Sequence, residues 1–444
     1  MHRRRHGGGR PVRGLLRALP AVHPTAGKPV ALRAWIVWAV GACSFGYAWF
    51  QRVTPSVAVA ELMAEFAIGA AVLGNLSALY LYAYAGLQLP VGALHDRFGP
   101  RRVLSVAALV SAAGALLFAT AADLNQAYLG RLLVGIGSAA SFVGGLALAQ
   151  RWFPPERYAF VSGLTMMVAM AGGVFGQGPL AWAVQAAGWR PAVMGMAGLG
   201  LVLAVATWAI VRDGPQAVRR AAPGRRPSVL AAIAQAVRRP QNWVMTIYGG
   251  AIAGPLLAFG ALWGVPYMML RFGVERPAAA FTASLLLIGL GIGSPLAGYL
   301  SDRIGRRKPP MLLGAAASTL IWSLLVFGPD LPLLLFQGLV LLSGIFAGTG
   351  VIALAVVREV MPQGVAATVT GLVNTANVGI GAILQPLVGL LLDLGWRGEM
   401  AGGARVYPLD VFTWAFAVLP GVCLLALAAA CLARETYCRP LPAG

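Results

Sequence analysis

GALHDRFGPRR at 92–102 and GYLSDRIGRRK at 298–308 are two copies of one pattern, Gly-x-x-x-Asp-Arg-x-Gly followed by basic residues. Gly92, Asp96, Arg97 and Gly99 fall on Gly298, Asp302, Arg303 and Gly305 at a shift of 206 residues. Other pairs keep nearly the same shift: Gly163, Gly173 and Gln177 match Gly371, Gly381 and Gln385, and Gly188-Trp189-Arg190 matches Gly395-Trp396-Arg397. Agreement at several separated places marks an internal duplication, so the chain reads as two similar halves.

Working outward from both copies, twelve stretches are long and apolar enough to cross roughly 30 Å of hydrocarbon as helices. They lie near 35–60, 72–94, 103–122, 127–150, 159–182, 191–211, 243–268, 279–300, 311–328, 331–357, 366–392 and 411–433. Apolar residues make up 59% of the 444 and charged ones 11%, a balance no water-soluble surface tolerates. Gly and Pro inside a span do not exclude helix, because neighbouring helices satisfy the freed backbone groups. The expected fold is therefore an all-α membrane protein of twelve transmembrane helices in two pseudo-symmetric six-helix bundles.

The formal charge of +20 is a matter of topology. With both termini cytoplasmic, 27 of the 34 Lys and Arg fall on the inside, and the outer loops keep only Arg190, Arg271, Arg276, Arg397 and Arg405. This predicts a multi-pass protein of a bacterial inner membrane, and nucleic acid is not needed as a partner. Residues 1–34 read as a disordered, basic cytoplasmic tail; a transit peptide or a misassigned start would have the same composition. The first bundle is expected over 35–211 and the second over 243–433, with a tail at 434–444. Between them, 212–242, with Arg219, Arg220, Pro223, Arg225, Arg226 and Pro227, reads as a cytoplasmic linker. Four cysteines without CxxC spacing imply neither a disulfide framework nor a metal site.

The duplicated loop resembles the motif between helices 2 and 3, and its counterpart between helices 8 and 9, of the major facilitator superfamily, with Pro100 in place of one basic residue. GRLLVGIG at 130–137 is similar to the family's helix 4 motif and its buried arginine, here Arg131. GLTMMVAMAGGVFGQGP at 163–179 resembles the Gly/Pro-rich helix 5 motif of antiporters, but has Gln177 where that pattern has proline. The resemblance covers about 35–433 and implies two bundles rocking about a midplane site. It also implies a coupling role for Arg131, whose plainer alternative is pairing with Asp123 or capping helix ends.

Arg52 is the most informative residue, because it sits deep in the first span with no acidic residue near it there. Burying a lone guanidinium costs roughly 2.5 kcal/mol or more, so such a residue faces a wet cavity or a partner. Phe45, Trp49, Arg52 and Ser56 share one helical face. One reading has Arg52 holding a carboxylate or phosphate through its planar fork; the other has it snorkelling to headgroups near Pro55. Its place resembles the helix 1 arginine of organophosphate/phosphate antiporters, which pair it with a helix 7 arginine that 243–268 lacks.

Further candidate substrate contacts are Tyr80, Tyr84 and Gln88 on the second span, and Asn374, Asn377 and Gln385 on the eleventh. Gln177, the repeat mate of Gln385, and Trp263, near Tyr248 and Tyr267 on the seventh, complete the set. For each, interhelical hydrogen bonding or an aromatic belt is the alternative. The two duplicated loops, with Gly92, Asp96, Arg97, Gly99 and Arg101 in one and Gly298, Asp302, Arg303, Gly305 and Arg306 in the other, are expected to act as latches on the cytoplasmic side.

No Asp or Glu occupies the middle of any span; Glu61, Asp123, Glu359 and Asp393 lie near ends. Proton relays usually need one, which leaves Glu61, His95, a protonated substrate, or exchange with a counter-anion. There is no Ser/His/Asp constellation, no metal-ligand cluster and no nucleotide loop in an aqueous segment, so neither an enzyme nor a cofactor is expected. The function expected first is secondary transport of a small organic anion, by a monomer. A multidrug/proton antiporter and a transporter-like ligand sensor are the alternatives.

Overall fold

The computed structural model describes residues 31–214, 234, 235, 237–361 and 363–439. The predicted tail up to residue 30, most of the predicted linker and the last five residues lie outside the described residues. The first half contains α1 (Leu32–Val53), α2 (Val59–Glu65), α3 (Ala70–Gly86), α4 (Gln88–Ala119), α5 (Leu124–Trp152), α6 (Pro155–Phe175), α7 (Gly178–Ala187) and α8 (Trp189–Ile210). The second contains α9 (Pro240–Pro255), a π-helical stretch (Leu256–Trp263), α10 (Gly264–Phe272), α11 (Arg276–Ile304), α12 (Lys308–Phe327), α13 (Leu333–Ala347), α14 (Gly350–Val360) and α15 (Gln363–Leu394). It closes with β1 (Met400–Ala401), β2 (Ala404–Arg405), α16 (Leu409–Phe416) and α17 (Val418–Leu432).

Each of the twelve predicted stretches is largely helical, as a hydrocarbon environment demands of backbone that must satisfy itself. Among the described residues, ten helical segments are long and apolar enough to cross a membrane, or eleven with the bent pair α2 and α3. Two features separate that count from twelve. The second and third spans share α4, whose helix continues across a break at Gly99 (φ 80°, ψ 153°). The first span, predicted over 35–60, ends as an α-helix at Val53, and its aromatic and polar residues hold its hydropathy down.

Prolines account for several interruptions. Pro90, Pro179 and Pro420 each stand four residues beyond the end of a helix, at Gly86, Phe175 and Phe416. A proline offers no N–H to the carbonyl four residues back, and its ring crowds that carbonyl. Pro386 lies inside unbroken α15 and frees the Ala382 carbonyl, which accepts the Tyr82 hydroxyl at 2.9 Å from the other half.

Within the first half α4 packs on α5 and α8, and α1 on α5 and α6; within the second α9 packs on α15 and α17, and α11 on α13. The halves meet where α3 lies along α15 and where α6 and α7 lie along α11. The first contact needs glycine: a Cβ on Gly74 would come within 2.5 Å of the Gln385 carbonyl oxygen, and one on Gly389 within 2.2 Å of that of Ala70.

One face of the molecule carries the duplicated loops and the basic segments, and here is termed the basic face. At the opposite face the halves are joined by polar contacts. Arg276 pairs with Glu61, Asp393 binds the first amides of α3, and Gln177 donates to the Gly260 carbonyl at 2.5 Å. Toward the basic face the last hydrogen bonds between halves are Asn374 to Gln88 at 3.1 Å and Thr375 to the Ala85 carbonyl at 3.4 Å. Beyond them, among the described residues, no hydrogen bond or ion pair crosses.

Candidate functional site

Arg52 leaves α1 one residue before its end and is 4% exposed. Its guanidinium carbon lies 4.2 Å from the Trp49 ring centre, 4.7 Å from that of Tyr84 and 5.4 Å from that of Tyr80. Tyr80 and Tyr84, one turn apart on α3, stack at 6.1 Å with their planes 15° apart, so the cation faces an aromatic wall. Arg52 Nε and Nη2 are buried without a hydrogen-bond partner, and among the described residues no carboxylate lies within 4 Å of it. Aromatic faces offset part of the charge's desolvation but fill none of its N–H donors.

The predicted four-residue face does not survive intact. The chain passes into a 3₁₀ turn, Thr54–Val57, so Ser56 bonds Gln177 Oε1 at 3.2 Å instead of standing beside Arg52. Phe45 packs against Phe142. The cause is Pro55, which cannot supply an N–H to the Gln51 carbonyl four residues earlier.

Arg131 makes up that loss. It is 1% exposed, and donates to the Gln51 carbonyl at 3.1 Å and the Ser77 carbonyl at 3.4 Å, with its guanidinium 5.3 Å from the Tyr80 ring. Tyr80 in turn donates to the Ala48 carbonyl at 2.7 Å. The suggested pairing of Arg131 with Asp123 is not what the fold makes, since Asp123 caps α5 by accepting the Gln126 amide at 2.8 Å.

From Tyr84 the polar track passes to Gln88 at the start of α4, which donates to the Tyr84 carbonyl and bonds Asn374 across the halves. Asn377, one turn on from Asn374, has a buried Oδ1 without a partner. The structure thus gathers Trp49, Arg52, Tyr80, Tyr84, Gln88 and Asn374 along one track, whereas the Asn377 Oδ1 lies against Gly249 of α9 inside the second half. Gln177, Gln385 and Trp263 lie elsewhere, toward the opposite face. Gln177 and Gln385 donate to the Gly260 and Leu257 carbonyls of the π-helical stretch, and Trp263 donates to the Gln385 carbonyl at 2.9 Å. Tyr248 is spent inside the second half on Thr349 and Met311, and Tyr267 in a cluster with Phe259, Phe412 and Phe416.

At the basic face, Asp96, Arg97, Arg303 and Arg306 are exposed, and among the described residues none of them makes an ion pair across the halves. Asp302 pairs with Arg307 at 2.6 Å rather than with Arg303, and Arg307 also holds Glu359 at 2.6 Å. The carboxylates of Glu359 and Asp302 overcome the effect of burial and raise the Arg307 pKa above the usual guanidinium value. His95 is buried against the Ala140 carbonyl at 2.9 Å, between α4 and α5.

Two carboxylates at this face, Asp213 and Glu435, carry no signal in the sequence. Asp213, past α8, accepts the Arg101 amide at 2.9 Å; Glu435, past α17, accepts the Arg307 and Lys308 amides at 2.7 and 3.0 Å. The two carboxylates cap the corresponding helices of the two repeats, with Glu359 and Arg307 completing the second cluster. Burial alone would raise the Glu435 pKa, but amides from Arg307, Lys308, Tyr437 and Thr436 together lower it. The spacing from Asp213 to Glu435 exceeds the repeat shift because the hairpin loop adds residues before α16, which hid the match.

A model described as the Major Facilitator Superfamily matches residues 38–376 and, in a second placement, 256–442. A probable sulfoacetate transporter of Cupriavidus necator, SauU, is 28% identical over 295 residues, covering 61% of this chain but only 65% of that protein. A probable galactarate/D-glucarate transporter of Escherichia coli, GudP, is 25% identical over 423 residues, covering 86% of this chain and 91% of that protein. The solved structure of a bacterial homolog of the human lysosomal transporter Spinster, inward-facing and unoccupied, superposes with a TM-score of 0.74 at 17% identity. That alignment covers 93% of this chain and 99% of the other, and speaks for the fold. With duplicated loops, helical halves and a family model spanning both, the chain belongs to the Major Facilitator Superfamily of membrane transporters.

Proposed function

We propose that the protein is a secondary transporter that moves a small organic anion, a carboxylate or phosphate-bearing metabolite, by alternating access. One observation carries the reading: Arg52, a guanidinium buried inside a membrane protein, with two donor nitrogens unfilled and, among the described residues, no carboxylate beside it. An anionic group of the solute supplies the missing acceptors through charge-assisted, two-point hydrogen bonds, while Trp49, Tyr80 and Tyr84 fix the plane of the fork. The distal part of the solute meets Gln88 and Asn374, exchanging its own polar groups for the amide pair that now joins the halves. The names of SauU and GudP add support, since sulfoacetate, galactarate and glucarate are all organic anions.

Transport follows if the halves rock about this track. The closed opposite face and the uncrossed basic face fit a state open to the basic side. In the other state the duplicated loops latch the basic face, with Asp96 and Asp302 engaging helix ends of the facing half. Arg131 couples the site to its surroundings by tying α5 to the carbonyl beside Arg52. The charge bias puts the basic face and both termini in the cytoplasm of a bacterial cell, and an ion or counter-anion gradient drives the cycle. Uptake into proteoliposomes tests this. Organic acids should accumulate, and neutral or cationic dyes should not; Arg52→Ala should abolish the anion flux, and Arg52→Lys should retain part of it. Unaltered anion flux in Arg52→Ala would overturn the assignment.

A further inference from the structure

By sequence Asp393 is a charge near a span end, and it stands at the end of α15. Its carboxylate reaches across the halves to the start of α3, where Oδ1 accepts the Ala70 amide at 3.0 Å and Oδ2 the Ala71 amide at 2.8 Å. Two donors come back from the following loop: the Tyr407 hydroxyl at 2.6 Å and Arg405 Nη1 at 3.1 Å. That return is built by the hairpin of β1 and β2, whose two-residue turn, Gly402 and Gly403, has both φ values positive (57° and 83°), as a tight hairpin of this hand requires. Burial, then the neighbouring Asp393, raises the Tyr407 pKa, so the phenol stays a donor. The fit is close on the α3 side as well: a Cβ on Gly69 would come within 2.6 Å of Asp393 Oδ2 and 2.9 Å of Arg405 Nη1.

A carboxylate accepting two helix-end amides, a phenol and a guanidinium holds them only while ionised. It can accept from all four and is attracted by the positive helix end, whereas the protonated acid gives up an acceptor and its charge. Among the described residues no other ionisable side chain forms a hydrogen bond or ion pair with it. The α3 side contributes only amides, Arg397 pairs with Asp410, and Glu61 pairs with Arg276. Since α3 and α15 belong to different halves, this cap and the Glu61 to Arg276 pair must break before the face can open.

We propose that Asp393 is a proton-sensitive clamp: ionised, it locks the face opposite the basic loops by capping α3, and a proton taken up from that side unlocks it. The clamp acts on the conformational equilibrium and does not depend on which solute is carried. The test is the distance between spin labels at Ala122→Cys and Asp330→Cys, exposed on that face in opposite halves, after replacing Cys43, Cys423, Cys431 and Cys438. In bilayers near neutral pH the otherwise unaltered protein should give mainly the short distance, with a longer component growing on acidification. Asp393→Asn should raise the open-to-closed ratio roughly tenfold and remove the response to acid. Gly69→Ala, which changes no ionisable group, should also widen the distribution yet keep that response, and it decides the matter if Asp393→Asn fails to fold. Distances in Asp393→Asn equal to wild type, a wild-type acid response in that variant, or an unchanged Gly69→Ala would each overturn the proposal.

Discussion

The two buried arginines of the first half should respond in opposite ways to the same substitution. Arg131→Met removes the donors to the Gln51 and Ser77 carbonyls, the first of which Pro55 has already deprived of a helical partner. A buried carbonyl left without a donor costs roughly 1–3 kcal/mol; that applies to Gln51, while the Ser77 carbonyl, inside α3, keeps the Leu81 amide and loses only a second, longer bond worth about 0.5–1 kcal/mol, so the upper range is near 4 kcal/mol. Apolar burial of the methionine returns about 1–2 kcal/mol, and the unfolded chain in a membrane finds other partners, so the net loss should be about 1–3 kcal/mol. Arg52→Met strands no backbone carbonyl among the described residues, and it relieves a buried charge two of whose donor nitrogens are unfilled; the empty protein should be unchanged or more stable by about 1 kcal/mol or more. Thermal unfolding of the purified protein in one detergent, without added solute, compares them directly, with Arg131→Lys expected in between. If Arg131→Met were as stable as wild type, or Arg52→Met as damaging as Arg131→Met, the division into a structural and a binding arginine would be wrong.

Two further outcomes follow from the same geometry. Tyr84→Leu removes an aromatic face 4.7 Å from the Arg52 guanidinium and should weaken anion binding by a few-fold to about thirtyfold, while Tyr84→Phe keeps most of the affinity, as equilibrium titration would reveal. Glu435 has a lowered pKa in the folded protein, so the stability it contributes is complete above the ordinary carboxylate range and is lost as pH falls through its folded value. Glu435→Gln should therefore be less stable than wild type at neutral pH, with the gap closing in acid, as unfolding midpoints across a pH series would report.

Arg52 could be singled out from the sequence because a charge inside an apolar span has few innocent explanations, and the duplicated loops because two copies with one spacing are hard to produce by accident. What sat around Arg52 was only half legible. Helical periodicity found Trp49, Tyr80 and Tyr84, but carried Ser56 along a helix that Pro55 ends. The link from Pro55 through the Gln51 carbonyl to Arg131 joins residues 80 positions apart, and no periodicity encodes it. Repeat symmetry pairs Gln177 with Gln385 as cavity lining; in the fold both donate to carbonyls of the π-helical stretch after Pro255. Charges at span ends were the least legible. Arg276 reads as an outer-loop charge, Asp393 as an acid near a span end and Glu61 as one of several candidate proton carriers, and only the meeting of the halves turns them into cross-links.

The claim on which the account rests is that Arg52 is kept free for a solute anion, and equilibrium binding to the purified protein addresses it most directly. Titration with sulfoacetate, galactarate and simple carboxylates should find at least one saturable ligand. Arg52→Ala should weaken that ligand by tenfold or more and Arg52→Lys by less, with the loss of a two-point fork separating the two. An anion that binds Arg52→Ala as tightly as wild type would contradict the account.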